Sequence, residues 1–225
     1  MVIARLSELR DDAFGDFTAR LLPGVERECI IGVRTPLLRR LAREMLRNGT
    51  AADFMEQLPH HFFEENLLHS LLLSQMRLPV DELLARVERF LLFVDNWAVC
   101  DQLRPKLFAK HPREVYAYVS RWLRSEQVYM RRYGMVASMT YFLDDNFEER
   151  MIGDVARVPA EEYYVMMAVA WYFSFALVKQ WNSALPFIEQ RRLPRVVHNK
   201  AIQKAVESLR LSAEQKEFLR SLRWK

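Results

Sequence analysis

Apolar residues recur at three- and four-residue spacing along most of the chain, which is the period of an amphipathic α-helix. The pattern is clear over 37–45 and again over 83–91, and no segment shows the sustained alternation that predicts a strand. The sequence therefore predicts an all-α protein. We expect helices near 2–10, 12–22, 36–48, 51–57, 61–76, 79–93, 96–109, 112–124, 126–143, 147–157, 160–178, 181–190, 194–208 and 212–222.

Prolines mark the starts of several of these helices. Each stands at or near a first helical turn, where its missing N–H is tolerated. They are Pro36, Pro79, Pro112, Pro159 and Pro194, spaced 43, 33, 47 and 35 residues apart. Two helices and two turns occupy about that length, which is the period of HEAT-like α-solenoids. We therefore expect one domain over 1–225, an α-α superhelix of stacked antiparallel helix pairs with a concave face.

The longest uncharged run covers 163–178, which is sixteen residues and shorter than the roughly 20 that a membrane span needs. This run predicts a central buried helix. Charges interrupt the apolar positions of the N-terminus, so we expect no secretory signal and no membrane partner. With only two cysteines, the composition favours a cytoplasmic protein, located at the nucleoid if it binds DNA.

Neither cysteine nor histidine shows the spacing of a metal site. Cys29 and Cys100 are expected to be small buried side chains. His61 and His69 could share a helix face, but no cysteine or paired carboxylate accompanies them. We therefore predict no metal.

Positive charge is unevenly distributed. The segment 191–225 holds ten Lys or Arg against three Asp or Glu, whereas the first 190 residues hold 23 against 26. A second basic stretch covers 104–132, with eight Lys or Arg against two Glu. Such asymmetry favours a polyanionic partner. The alternative is that these charges are scattered over solvated faces.

One segment places candidate catalytic groups close together. Asp95 or Asn96 can cap a helix on which Trp97 and Asp101 lie four residues apart, on one face. A carboxylate beside an aromatic ring suits a cationic, sugar-like species. The alternative is that Trp97 belongs to the core and that Asp101 pairs with Arg104 or another nearby base.

Two other motifs have structural explanations. For Glu64 and Glu65, a solvated face or an ion pair with a basic neighbour is a better explanation than catalysis. Thr35 is expected to cap a helix that Pro36 starts.

Four motifs in collinear order resemble the AlkD-type HEAT-like-repeat DNA alkylation repair proteins, the alkylpurine DNA glycosylases and their relatives. They cover some 140 residues: GVRTPLLRRLAREM at 32–45, NWAVCD at 96–101, HPREVYAYVSRWLRSEQVYMRRYGMV at 111–136 and AVAWYF at 168–173. The second is similar to the family's Trp-x-x-x-Asp site. In the third, Arg132 falls where members carry a DNA-contacting arginine.

The resemblance implies a monomeric protein that holds duplex DNA by its backbone on a concave basic face. Active members hydrolyse the N-glycosidic bond of cationic N3- or N7-alkylpurines without pulling the base into a pocket. Asp101 would stabilise the oxocarbenium-like sugar and orient water, and Trp97 and Trp171 would pack against that sugar. No metal or organic cofactor is required. The residues expected to hold phosphates are Arg132, Arg131, Arg104, Lys106, Arg195, Lys200 and Lys204.

Two departures count against excision. Active members have an N-terminal helix that enters the minor groove, whereas here Pro23 and Gly24 end the preceding helix, and Glu26 and Glu28 follow. Ser174 also stands where active members place an arginine. The pattern of the N-terminus resembles a branch of the family that keeps the fold and the Trp/Asp pair but lacks the groove-entering helix. The alternative function is therefore a non-catalytic paralogue, which acts as a DNA-binding or protein-binding HEAT-like scaffold.

Overall fold

The computed structural model describes residues 2–225, and every regular element within that range is helical. The α-helices are α1 (Val2–Glu8), α2 (Asp12–Leu21), α3 (Thr35–Arg47), α4 (Ala51–Glu56), α5 (Phe63–Leu73), α6 (Val80–Leu91), α7 (Trp97–Gln102), α8 (Pro112–Trp122), α9 (Val128–Tyr141), α10 (Arg150–Ala156), α11 (Tyr163–Lys179), α12 (Trp181–Glu189), α13 (Arg195–Val206) and α14 (Ala213–Ser221). Two short 3₁₀ helices occupy Arg27–Cys29 and Lys106–Lys110. The predicted all-α fold is confirmed.

The chain divides into two compact units, Met1–His111 and Pro112–Lys225. In the first unit, α5 packs against α3, α6 and α7, and α4 packs against α3. In the second unit, α11 packs against α9, α10, α12 and α13, while α8 contacts α9 and α14 contacts α13. Helices in each unit thus contact both the next helix and the one after it, as in an α-α superhelix. The single domain over 1–225 stays a prediction.

The long uncharged run forms α11, as predicted. Nine of its 17 residues are buried, and they include small side chains that let neighbouring helices approach closely. Among the helices of residues 2–225, none combines the length and the apolar character that crossing a membrane requires. α11 is therefore the central helix of the second unit.

The buried helix α5 corrects one prediction from the sequence. Glu64 is completely buried and Glu65 nearly so, so the expected solvated face or ion pair is wrong. The Glu64 carboxylate accepts hydrogen bonds from the backbone N–H groups of Ile31, Gly32 and Val33, at 2.9, 2.7 and 3.1 Å. Backbone donors thus replace water around this carboxylate, which makes its burial tolerable.

The loop held by Glu64 makes a close approach to the N-terminal helices. Gly32 has a φ of +94°, and a Cβ atom on it would lie 2.2 Å from the carbonyl oxygen of Asp11. Only glycine fits this position without strain. The loop leads directly into α3, whose N-cap is Arg34 rather than the predicted Thr35.

The predicted helix over 96–109 is interrupted. α7 ends at Gln102, and a 3₁₀ helix follows over Lys106–Lys110. Pro105 lacks an N–H and disfavours helical geometry in Arg104 before it, which explains the break. As a result, Arg104 lies in the irregular segment after α7, and Lys106 begins the 3₁₀ helix instead of continuing α7.

Two histidines of the first unit face each other. His60 Nε2 and His69 Nδ1 are 2.9 Å apart, and the His69 ring stacks on Phe90 with ring centroids 4.2 Å apart. Burial lowers the pKa of His69 to about 3. His61, the residue expected to share a face with His69, is exposed and precedes α5.

The C-terminal tail of the second unit is hydrogen-bonded to α13. The Asn199 side chain donates to the Trp224 carbonyl and accepts from the Trp224 N–H, both at 2.8 Å. His198 Nε2 lies 2.9 Å from the carbonyl oxygen of Leu222. These bonds hold residues 222–224 beside the first turns of α13.

Candidate functional site

The short helix α7 begins with a defined cap. Asn96 is buried, and its side-chain oxygen accepts the backbone N–H of Val99 at 3.0 Å. This bond satisfies one of the helix's unpaired donors and fixes where α7 starts. Of the two predicted caps, Asn96 is therefore the correct one. Trp97 is the first residue of α7, and Asp101 lies one turn later.

Trp97 is half-buried and contacts the N-terminal helices. Its indole Nε1 donates to the carbonyl oxygen of Leu21, the last residue of α2, at 3.4 Å. α2 ends before Pro23 and Gly24, as predicted, and Glu26 after them is exposed. The position of the Trp97 ring therefore depends on where α2 ends.

Asp101 is half-buried on the same helix. Its backbone carbonyl accepts the Nε–H of Arg104 at 3.1 Å, a contact that folds the arginine back against the end of α7. The first unit thus places a carboxylate, an aromatic ring and an arginine within one short helix and the turn that follows it.

A cleft of about 340 Å³ opens beside the end of α7, and we call it the α3–α7 cleft. The polar and charged residues that line it are Arg39, Arg43, Ser74, Gln75, Gln102, Arg104 and Lys106. Four of these are cations, and none of the described residues in the lining is acidic. Arg39 Nη2 donates to Gln102 Oε1 at 3.1 Å, and the Arg104 N–H donates to Ser74 Oγ at 2.8 Å. The cleft is thus both basic and rich in hydrogen-bonding groups.

Arg39 and Arg43 were not among the residues predicted from the sequence. Their signal was available, since two arginines four residues apart lie on one face of a helix. α3 also carries Arg40 and Arg47, however, and spacing alone does not show which of these arginines meets α7.

Other arginines of the first unit have carboxylate partners. Arg89 lies 2.6 Å from Glu56, and this hydrogen bond lowers the pKa of the Glu56 carboxyl. Arg5 pairs with Glu44 at 3.1 Å, and Arg34 with Asp11 at 2.8 Å. Their charges are locally neutralised, whereas in the α3–α7 cleft Arg39 bonds to the neutral amide of Gln102 and Arg104 to the backbone carbonyl of Asp101.

In the second unit, Arg131 and Arg132 lie inside the protein. They are only 7% and 6% exposed. Arg131 Nη2 bonds to Glu162 Oε1 at 2.7 Å, and Arg132 Nη1 donates to the carbonyl oxygen of Tyr164 at 2.8 Å. Both predicted phosphate contacts therefore join α9 to the start of α11.

Trp171 is half-buried in the middle of α11. Its ring meets that of Phe175 edge to face, with centroids 5.9 Å apart. The Ser174 hydroxyl donates to the Trp171 carbonyl at 2.7 Å, and Ser174 is almost fully buried. The Ser174 side chain is thus bonded within its own helix.

Most of the basic side chains of the C-terminal segment 191–225 are exposed. Arg195 is exposed in the first turn of α13, Lys204 is half-buried, and Lys200 Nζ donates to Gln203 Oε1 at 3.0 Å. Among the described residues of 191–225, only Arg220 forms an ion pair with a carboxylate, that of Glu217 at 3.1 Å. The second unit thus carries a basic surface of its own, built on α13 and the residues around it.

Comparison with known proteins identifies the class. The family model described as DNA alkylation repair enzyme matches residues 2–205, which is most of the chain. A search of curated proteins found no match. The chain belongs to the DNA alkylation repair enzyme family.

Proposed function

We propose that this protein binds duplex DNA through the basic surfaces of both units and excises cationic N3- or N7-alkylpurines. The proposal rests mainly on the arrangement of side chains on and beside α7. The helix α7 presents a carboxylate one turn from an aromatic ring, and it ends at a cleft with four cations. The family supplies the context of DNA alkylation repair.

The proposed chemistry suits the residues of α7. An alkylated purine already carries a positive charge, so the leaving group needs no general acid. Its departure leaves an oxocarbenium-like sugar. Asp101 would stabilise this charge and orient the attacking water, and Trp97 would pack against the sugar. Trp171 of the second unit is proposed in the same packing role. The reaction as proposed requires no cofactor.

The α3–α7 cleft is the proposed phosphate contact of the first unit. Arginine guanidinium groups bind phosphate oxygens in a bidentate way, and three arginines line the cleft. Each neutralised phosphate releases counterions, which gives duplex binding its salt dependence. Such contacts position the protein on DNA without selecting a sequence.

Arg195, Lys200 and Lys204 are the proposed phosphate contacts of the second unit. We expect Arg131 and Arg132 to contribute less, because their guanidinium groups already bond to Glu162 and Tyr164.

The second candidate function is a family member without excision activity, which acts as a DNA-binding or protein-binding scaffold. Ser174 favours it, because a buried serine bonded to the Trp171 carbonyl cannot supply the positive charge of the arginine that active members place there.

Single-turnover release of 7-methylguanine from an alkylated duplex tests the two candidates. We expect wild type to release the base and Asp101→Asn to lose at least about 100-fold in rate, as removal of an electrostatic stabiliser does. Asp81→Asn, the same change at an exposed residue of α6, is the control. Folded wild-type protein that releases no base would rule out excision. Duplex affinity measured in the same samples would then decide between DNA binding and protein binding.

A further inference from the structure

The second unit contains a small pocket that shares only Lys204 with the proposed duplex contacts. Its volume of about 230 Å³ suits a phosphate group or another part of a ligand rather than a whole drug-sized molecule. One wall comes from the second half of α11, and the other comes from the end of α13 and the turn that follows. The residues that matter are Ser174, Phe175, Lys179, Lys204, Ser208 and Arg210.

The charge of this pocket is positive and mostly uncompensated. Lys179 pairs with Asp144, but neither Lys204 nor Arg210 has a carboxylate partner in the described chain. Ser208 adds a hydroxyl group to the lining, whereas the hydroxyl of Ser174 is already bonded to the Trp171 carbonyl. Two available cations together with a hydroxyl group are suited to an anion that carries about two negative charges.

One side of the pocket is aromatic. Phe175 is a large apolar side chain, yet it is 40% exposed in a part of α11 whose neighbours Ser174, Ala176 and Leu177 are buried. Its contact with Trp171 is edge to face, so its ring is not covered by stacking against that neighbour. An exposed ring next to cations is the arrangement on which proteins stack nucleobases whose phosphates they also bind.

We propose that this pocket binds a single nucleotide by its phosphomonoester, with the base against Phe175. A phosphomonoester carries about −1.5 to −2 charges at pH 7, which matches Lys204 and Arg210 better than the single charge of a backbone diester does. The pocket is also too small for a duplex. The ligand is a free 5′-nucleotide or the 5′-phosphate at the end of a strand.

Calorimetric titration of the full chain with 5′-deoxyadenylate tests the proposal. We expect Arg210→Gln to weaken binding about tenfold, since it removes a charged hydrogen-bond donor. Lys216→Gln on α14 removes the same charge outside the pocket, and its affinity should stay within about twofold of wild type. Phe175→Ala should reduce the affinity to that of inorganic phosphate, and deoxyadenosine without phosphate should not bind. Absence of binding at millimolar deoxyadenylate, or equal losses in the two charge variants, would overturn the proposal.

Single-stranded oligonucleotides with a 5′-phosphate or a 5′-hydroxyl distinguish the two sources. A higher affinity for the phosphorylated strand identifies a strand end, whereas binding of deoxyadenylate alone identifies a free nucleotide. The inference does not rest on excision. A protein that binds deoxyadenylate but neither binds nor cleaves an alkylated duplex would refute the proposed function and leave this pocket standing.

Discussion

Arg39 donates a hydrogen bond from Nη2 to the amide oxygen of Gln102, at 3.1 Å, and so joins α3 to α7. A guanidinium group has five N–H donors, and a neutral amide does not cancel its charge. Arg39 is therefore held in place while it keeps both charge and donors for a phosphate. This combination of fixed position and uncompensated charge makes the α3–α7 cleft the first place to test DNA binding.

We expect Arg39→Gln and Arg43→Gln each to weaken duplex binding by about three- to tenfold at low salt. Each variant should also make the slope of log K against log salt less negative by about 0.9, the value for one neutralised phosphate. Fluorescence anisotropy at several salt concentrations measures both quantities. Arg47→Gln removes an exposed arginine of α3 that does not line the cleft. A loss of the same size in this control would show that net charge alone governs binding.

Glu64→Gln is expected to lower the free energy of unfolding by about 3 kcal/mol, because charged hydrogen bonds are lost and a buried backbone donor is left unsatisfied. The amide can keep one accepting oxygen, but its NH₂ group meets either the N–H of Ile31 or the N–H groups of both Gly32 and Val33. Urea denaturation measures the change. Glu28→Gln, at an exposed glutamate, is the control and should change stability by less than about 0.5 kcal/mol. Equal stabilities of the two variants would contradict the role assigned to Glu64.

Protonation of His69 is expected to destabilise the protein in acid. Its pKa is about 3 in the folded chain and ordinarily 6.5, so the unfolded chain binds more protons between these values. The contribution of neutral His69 to the free energy of unfolding is complete above pH 6.5. It declines as the pH falls, with a loss of about 2 kcal/mol by pH 5. Burial also lowers the pKa of His60, which acts in the same direction.

Unfolding of wild type and His69→Phe at pH 7 and pH 5 measures the effect of His69. The variant keeps an aromatic ring next to Phe90 but does not titrate, so its loss between the two pH values should be smaller. His61→Gln, at an exposed histidine, should retain the wild-type dependence. If His69→Phe lost as much as wild type, the acid sensitivity would belong to other groups.

Asn199→Ala is expected to free the C-terminal tail. The substitution removes both hydrogen bonds to Trp224, so the free energy needed to release the tail should fall by about 1–2 kcal/mol. Trypsin should therefore cleave after Arg223 more readily. Gln203→Ala on the exposed side of α13 should leave the cleavage rate unchanged. A tail equally protected in both variants would show that other contacts, such as that between His198 and Trp224, are sufficient.

The helices could be predicted because apolar spacing and proline placement are local signals. Asn96 and Pro36 mark their helix starts within a residue, and α11 follows directly from its uncharged run. The interruption of the predicted helix over 96–109 also has a local cause, Pro105. The helical period of apolar residues on both sides of Pro105 favoured a continuous helix instead.

The environment of charged side chains could not be predicted, because distant backbone determines it. Glu64 can be buried because its carboxylate accepts hydrogen bonds from the N–H groups of a loop some thirty residues earlier in the chain. Arg131 is neutralised by Glu162. Asp101 and Trp97 are on one helix, as their spacing predicts, yet the bond from Trp97 to Leu21 depends on how α2 packs.

The uneven pairing of cations also affects how the protein behaves during purification. Its formal net charge is only +4. Because paired arginines contribute little outward field, while four cations line the α3–α7 cleft and ten Lys or Arg lie in 191–225, these two local surfaces are more basic than the average. We expect cation-exchange or heparin resin to retain the protein to higher salt than its net charge suggests. Nucleic acid from the cell extract should co-purify with it until a high-salt wash displaces it.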